Sequence, residues 1–254
     1  IVDFAAVCRS LERELERGGA EIVRGAEVRA LPRSGRGWTL ETTAGELRSR
    51  VIVNCAGLHS DRVARMAGAE PAARIVPFRG EYHRLRPDRE SLVRHLVYPL
   101  PEPGFPFLGV HFTRRIGGGI DAGPNAVLAF AREGYDLTTV DLRDVFEAGT
   151  FPGLWRFAGR HHRMVARELA QSLDRRRFVR ALQRLVPELR SADLVPGGSG
   201  VRAQAILPSG AFVHDFLWVD QPGAVHVINA PSPAATASLV IGEEVAARAA
   251  RLLD

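Results

Sequence analysis

His111 stands alone in an otherwise apolar segment, Leu108-Gly109-Val110-His111-Phe112. At strand spacing Leu108, Val110 and Phe112 face one way, and His111 shares the other face with Gly109. An imidazole changes charge near neutral pH, so this residue is either a proton-transfer base or a satisfied core histidine. From the residues alone both readings stay open.

A second stretch with chemical content is 226–254. Val225-His226-Val227-Ile228 reads as a buried strand broken by Asn229-Ala230-Pro231. Ser232 is placed to cap a helix, with Pro233 at its first position. Ala234, Ala235, Thr236, Ala237 and Ser238 then make a bare first turn, and Leu239, Gly242, Val245, Ala249 and Leu252 recur at helical spacing. The unpaired N–H groups and the positive end of such a helix favour an anion or dipole, and small side chains admit a flat ligand. The competing reading is an ordinary strand, turn and helix. The segment 51–68 has the same texture: strand Val51-Ile52-Val53, turn Asn54-Cys55-Ala56-Gly57, and a short helix capped by Ser60 and ended by Gly68. Unbulky backbone between strand and helix lets a dinucleotide come close.

The elements that would position these residues follow in order. Asp3 caps a helix with the stripe Phe4, Val7/Cys8, Leu11 and Leu15, ended by Gly18-Gly19. Residues 20–24 and 28–31 read as strand, 38–42 as an alternating strand, and 47–53 as its return after Ala44-Gly45. From Pro77 the texture changes. Strands are expected at 78–85, 96–100, 107–113 and 120–123, with turns at 87–90 and 114–119 and a rigid Pro101-Glu102-Pro103-Gly104. Residues 142–189 read as mostly helical, broken at Pro152-Gly153. Gly197-Gly198-Ser199-Gly200 then leads into a strand, 201–205, expected to return to the first domain.

The 254 residues suffice for one large domain or two joined ones, and a hydrophobic share of 46% with 25% charge is a globular composition. No apolar run reaches the length of a membrane span. The start shows no signal-peptide pattern and reads as the middle of a protein. Cys8 and Cys55 are too few for a disulfide framework or a zinc site, and read as buried small hydrophobes in a reducing cytoplasm. All 34 basic residues other than histidine are Arg, giving a net charge of +5. The densest cluster, Arg175-Arg176-Arg177 with Arg180 and Arg184, sits on a helix whose apolar face is Phe178, Leu182, Leu185 and Val186. A solvated basic face is favoured over nucleic-acid contact, and dispersed Arg suits attraction of a small anionic substrate. The other histidines, the His161-His162 doublet included, show no metal-ligand spacing.

Six segments in this order carry a resemblance: VNCAGLHSDRVARMAG, PFRGEYHRL, YPLPEP with PFLGVHFTR, GPNAVLAFAREGY, GVRAQA and NAPSPAATASLVIG. Together they resemble the L-2-hydroxyglutarate oxidases and dehydrogenases of the D-amino-acid-oxidase-like FAD oxidoreductases. The resemblance runs the length of the chain. It implies an α/β plus α+β fold, with an incomplete Rossmann-like FAD-binding domain at 1–75 and 201–254 and an inserted, mostly antiparallel substrate-binding domain at 76–200. The family opens with a G-x-G-x-x-G turn that grips the ADP half of FAD. No such motif occurs here; Gly117-Gly118-Gly119 lacks the spacing.

The resemblance also assigns roles. FAD would lie along the C-terminal edge of the parallel sheet with its flavin over the inserted sheet. Val28 would meet adenine, Ala56 and Gly57 the adenosine or pyrophosphate, and the helix entry at Asn229, Ser232, Pro233, Ala234 and Ala235 the flavin pyrimidine. A helix start there would stabilise the anionic reduced ring by about 0.3–2 kcal/mol. The substrate would be a 2-hydroxy dicarboxylate oxidised by hydride transfer to flavin N5, with His111 as base. Arg202 would hold a carboxylate as a bidentate pair, Tyr82 would donate a hydrogen bond to the other or form the pocket wall, and Arg79 is a second carboxylate candidate. Oxygen or a quinone would accept the electrons, with the protein cytoplasmic and in peripheral contact with the membrane's inner face. Two alternatives accompany this expectation: a related FAD amine or hydroxy-acid oxidase, and a non-catalytic truncated fragment.

Overall fold

The computed structural model describes residues 1–100 and 108–253. The expected Pro101-Glu102-Pro103-Gly104 segment and Phe107 lie outside the described residues. The chain forms two compact units. One holds Val2–Ile75 and Val213–Asp254; the other holds Val76–Phe212, with Ile1.

The first, discontinuous unit opens with α1 (Phe4–Arg17). The Asp3 carboxylate accepts from the Ala6 N–H, and Gly18 with Gly19 (φ +83°) ends the helix, as expected. Its stripe is left open: Phe4, Leu11 and Leu15 are 39–54% exposed. Residues 20–24 form no strand, against expectation. β1 (Val28–Ala30), β2 (Arg33–Ser34), β3 (Gly37–Thr42) and β4 (Gly45–Ser49) make an antiparallel sheet around β3. The expected single return strand at 47–53 splits. β4 stays on β3, and β5 (Ile52–Asn54) joins a different sheet beside α2 (Ser60–Met66).

Ser60 does not cap α2. A 3₁₀ turn, Gly57–His59, precedes it, so Ser60 is already helical and buried. No side chain caps the helix; Asp61, fully buried in its first turn, accepts through Oδ2 from the Ile75 N–H at 3.2 Å and from Arg65 at 2.9 Å. Both cysteines are exposed, Cys8 on α1 and Cys55 in the turn after β5, against the expectation of burial.

The second unit carries one five-stranded antiparallel sheet. β6 (Arg74–Leu85) is its spine, with β7 (His111–Arg114), β8 (Ile120–Gly123), β9 (Val127–Leu128) and β10 (Leu194–Ile206) in the order β10-β6-β8-β7, and β9 also on β6. The strand expected at 96–100 reduces to one bridge, Val97 to Phe112. The glycines at 197–200 lie within β10, not in a loop. The segment 201–205 is the same strand and pairs in this sheet rather than returning to the first unit. Glycine permits this: a side chain on Gly197 would meet the His83 backbone at 2.8 Å.

Helices α3 (Leu142–Gly149), α4 (Pro152–Arg160), α5 (His162–Leu173) and α6 (Arg175–Gln183) fill the interval, with Pro152 opening α4. The basic helix α6 buries Phe178, Val179 and Leu182 against Leu85, Val110, Phe112, Ile120 and Ala122 of the sheet and its approach. Truncating a fully buried Phe of this kind costs about 3–5 kcal/mol.

The chain re-enters the first unit through β11 (Leu217–Gln221) and β12 (Ala224–Asn229), then α7 (Ser238–Ala250). β12 pairs with β11 antiparallel and with β5 parallel. Ser232 caps no helix and Pro233 is not a helical position. A 3₁₀ turn at Ala234–Ala237 comes first, without a side-chain cap, and α7 starts at Ser238. Of the expected stripe Val245 is buried, but Leu239 is 66% exposed.

Trp38 anchors this unit. It is 2% exposed and donates its Nε1–H to the Gly223 carbonyl at 2.7 Å. Gly223 has φ +69°, and a Cβ there would sit 3.0 Å from Trp38 Nε1. Gly223→Ala should therefore destabilise the chain by roughly 1–2 kcal/mol, the cost of a left-handed alanine, read as a lower urea midpoint. An unchanged midpoint would refute the anchor.

His226 is wholly buried and Asn54 donates to its Nδ1 at 3.1 Å. Burial holds its pKa below the ordinary histidine value, with Asp220 opposing. The unfolded chain then binds the proton more readily, so stability is complete above about pH 6.5 and is lost as pH falls toward the folded-state pKa. Unfolding free energies at pH 7.5 and 5.0 should differ less in His226→Gln than in the parent. Equal differences would count against it.

Candidate active site

The chemistry-bearing residues of the second unit meet through strand register. β7 and β8 pair His111 with Gly123 and Phe112 with Ala122, and β8 and β6 pair Ala122 with His83. One step along that register Tyr82 lies beside Gly123, whose Cβ position would be 3.3 Å from the Tyr82 Cα. Tyr82, Gly123 and His111 therefore form one row across three strands. Opposed residues share a face, so this row faces away from the core row of His83, Ala122 and Phe112. The core face confirms it: Phe112 and Ala122 are fully buried and the His83 ring packs 4.6 Å from Phe178.

His111 is half-buried, and its Nδ1 lies 2.9 Å from the Gly109 carbonyl. A carbonyl can only accept, so Nδ1 carries the proton and the Nε2 lone pair is bare. Burial lowers the His111 pKa, the Gly109 carbonyl works against that, and the positive charge of Arg202 adds to the lowering. Arg202, on β10, is close enough to act on both His111 and Tyr82. Burial lowers its pKa while Tyr82 and Glu168 raise it, and a guanidinium stays charged regardless. Burial raises the Tyr82 pKa, which Arg202 offsets and Asp121 and Tyr98 reinforce. Tyr82 is thus a protonated donor at neutral pH.

Arg79 sits differently. It is 2% exposed and gives its Nη2–H to Glu81 at 2.9 Å. The other Glu81 oxygen accepts from Asn125 and Ser172, each at 2.7 Å. Sequence reasoning passed over Glu81, Asn125 and Glu168, because an isolated polar side chain gives no pattern until its partners are in place. Glu168 Oε2 accepts the Ala126 N–H at 3.0 Å. A separate cavity of about 360 Å³ opens among β9 and α3–α5, walled by Phe78, Leu128, Leu154, Phe157 and Val165. It contains none of the row's residues.

In the first unit, β5 and β12 run parallel, so their following loops leave from the same edge. These loops hold Ala56 and Gly57 on one side and Ser232, Pro233, Ala234 and Ala235 on the other. Cys55, Ala56, Gly57, Ala230, Ser232, Pro233 and Ala235 are exposed, with Ala234 half-buried. Gly57 has φ +54°, and no atom lies within 4 Å of where its Cβ would be. Ala56 donates its N–H to Asn54 Oδ1 at 3.0 Å, and Asn229 donates to the Val213 and Asp215 carbonyls at 3.1 and 2.8 Å. Asn54 and Asn229 thus pin the two strand ends, and the open backbone between them fits a flat, anionic nucleotide. Val28 lies half-buried on β1.

A family profile described as FAD dependent oxidoreductase matches residues 1–248. The chain is 42% identical over 246 residues to L-2-hydroxyglutarate dehydrogenase of Indibacter alkaliphilus, covering 96% of this chain and 62% of that protein. It is 41% identical over 254 residues to the Escherichia coli K12 protein of the same name, covering 100% and 60%. The chain therefore spans about 60% of the length of these curated relatives. Among solved structures it matches L-alpha-glycerophosphate oxidase from Mycoplasma pneumoniae with FAD bound (TM-score 0.62, 17% identity, 94% of this chain and 52% of that one). It also matches the amino acid oxidase NikD (TM-score 0.58, 15% identity, 98% and 56%). These likenesses show the fold. With the profile covering nearly the whole chain, the protein belongs to the FAD dependent oxidoreductase family, DAO.

Proposed function

We propose that this chain carries the substrate-oxidising part of an FAD-dependent enzyme that converts L-2-hydroxyglutarate to 2-oxoglutarate. The observation that carries this reading is the row of Tyr82, Gly123 and His111, with Arg202 in electrostatic reach and a bare Nε2 on His111. When bound, FAD supplies the acceptor for the hydrogen and two electrons that leave C2 of the substrate. The loops at Ala56-Gly57 and 230–235, with Asn229 behind them and Val28 on β1, would hold it.

The chain's own residues do the remainder. Arg202 offers a planar fork to one carboxylate of the dicarboxylate. Tyr82 donates its hydroxyl hydrogen to the same substrate. His111 Nε2 takes the hydroxyl proton as the C2 hydrogen departs, leaving the carbonyl. Its lowered pKa keeps the imidazole neutral to a lower pH than an ordinary histidine, so the base stays available through neutrality. Arg79, closed off on Glu81, takes a supporting place behind the row. The 41–42% identity to L-2-hydroxyglutarate dehydrogenases favours this substrate over other 2-hydroxy acids. Oxygen or a quinone would accept the electrons. Among the described residues no helix is long and apolar enough to cross a membrane. We place the protein in the cytoplasm, in peripheral contact with the membrane's inner face where a quinone is the acceptor.

The absence of G-x-G-x-x-G predicts that the chain, purified as given, is colourless. A stoichiometric flavin spectrum would overturn that. Extended with the nucleotide-binding segment of its Indibacter relative and loaded with FAD, it should oxidise the L but not the D substrate. Oxidation of neither would sink the proposal. In that enzyme His111→Gln should lower kcat by about 10²–10⁴-fold, and the parent's activity should fall only as pH drops below the ordinary histidine range. Arg202→Lys should instead raise KM about 10–100-fold, the loss of bidentate recognition. A KM that does not move would remove Arg202 from the carboxylate.

A further inference from the structure

We propose that Tyr98 is a positioning residue that fixes the ring of His111 with Nε2 bare. This rests on the reading of His111 as the base and adds the device that holds it.

One backbone bridge joins the segment 96–100 to β7. Val97 and Phe112 exchange both hydrogen bonds, Val97 N–H to Phe112 O at 3.1 Å and Phe112 N–H to Val97 O at 2.9 Å. In an antiparallel pair the next opposed residues form a non-hydrogen-bonded pair, whose side chains approach more closely. One step from Val97 and Phe112 those residues are Tyr98 and His111. Their rings stack at 4.4 Å between centroids and 23° between planes. The phenol is tethered in turn: its hydroxyl lies 3.3 Å from Thr113 Oγ1, the diagonal neighbour on the same face of β7.

Two constraints then meet on one imidazole. The Gly109 carbonyl holds Nδ1–H in the ring plane at 2.9 Å. The Tyr98 ring blocks rotation out of that plane. Either alone leaves freedom: a single hydrogen bond lets the ring pivot about its own axis, and a stacked ring alone can flip by half a turn, exchanging the places of Nδ1 and Cδ2 and taking Nδ1 off the Gly109 carbonyl. Both together select one orientation and one tautomer. A free histidine side chain prefers the opposite tautomer, with the proton on Nε2, so the observed form needs such support. Tyr98 is itself 43% exposed. Its place is explained by the ring it covers more than by burial of its own surface.

The test reads the tautomer directly, by long-range ¹H–¹⁵N correlation on the ¹⁵N-labelled chain above the His111 pKa. The parent should show Nδ1 protonated and Nε2 bare. Tyr98→Phe keeps the stack and should keep that pattern. Tyr98→Leu, and the strand-compatible Tyr98→Thr, should shift His111 toward the Nε2-protonated form or an averaged signal. Unchanged His111 signals in both variants would overturn the proposal. So would a parent already protonated on Nε2, or loss of the folded amide dispersion in both variants, which would make Tyr98 a support of the fold instead. This readout needs neither flavin nor substrate, so it succeeds or fails apart from the oxidation reading. In the flavin-loaded enzyme Tyr98→Leu should lower kcat by about tenfold with little change in KM, as expected for a misdirected base, and Tyr98→Phe should restore it.

Discussion

The second unit depends on the two-residue period of its antiparallel sheet. Because β6, β8 and β7 pair in register, each strand sorts its side chains onto two faces with no further instruction. Phe112, Ala122, Ile120 and Leu85 go to the side covered by α6, and Tyr82, Asp121 and His111 to the other. A slip of one residue would exchange the sets, placing Phe112 in water and His111 against Phe178. The apolar core thus enforces the position of the polar row. The energetic cost of misregister is the loss of several fully buried side chains, each worth roughly 1.5–3 kcal/mol.

The first unit meets a different requirement, to leave backbone open at one sheet edge without letting it collapse. Parallel pairing of β5 and β12 sends two loops out together. Neither loop has bulky residues to hold itself down, so the buried amides at the strand ends do it. Asn54 bonds the Ala56 N–H, the Ser60 carbonyl and His226; Asn229 bonds the Val213 and Asp215 carbonyls. Buried polar groups are costly unless satisfied, and a satisfied network fixes one arrangement. Most small residues of the loops stay exposed, as the proposed nucleotide site requires.

Where the sequence misled, the cause was a partner that local pattern does not reveal. The alternation at 47–53 is a fair strand signal, yet its two halves find different neighbours, β3 and β12. Gly197-Gly198-Ser199-Gly200 has the composition of a loop but extends along β6, which at Gly197 comes too close for a side chain. Ser232 and Ser60 are good capping residues by type; a 3₁₀ turn precedes each helix and shifts its start past them. Arg79 and Arg202 are both arginines on strands, and nothing local separates one closed off on Glu81 from one coupled to Tyr82 and His111.

From the sequence alone came the alternation of hydrophobic residues, the glycine stops, the first helix with its Asp3 cap, the lone histidine on an apolar strand and the bare turns after two strands. Those depend on neighbours a few residues apart, where periodicity and turn chemistry act directly. Only the tertiary structure decided which strands became neighbours, that Tyr82 and His111 share a row, that Gly109 sets the histidine's tautomer, and that Tyr98 lies across it. All but the Gly109 bond, which spans two residues, require contacts between residues 12 or more positions apart, made by register and packing, to which no local pattern of residue types is sensitive.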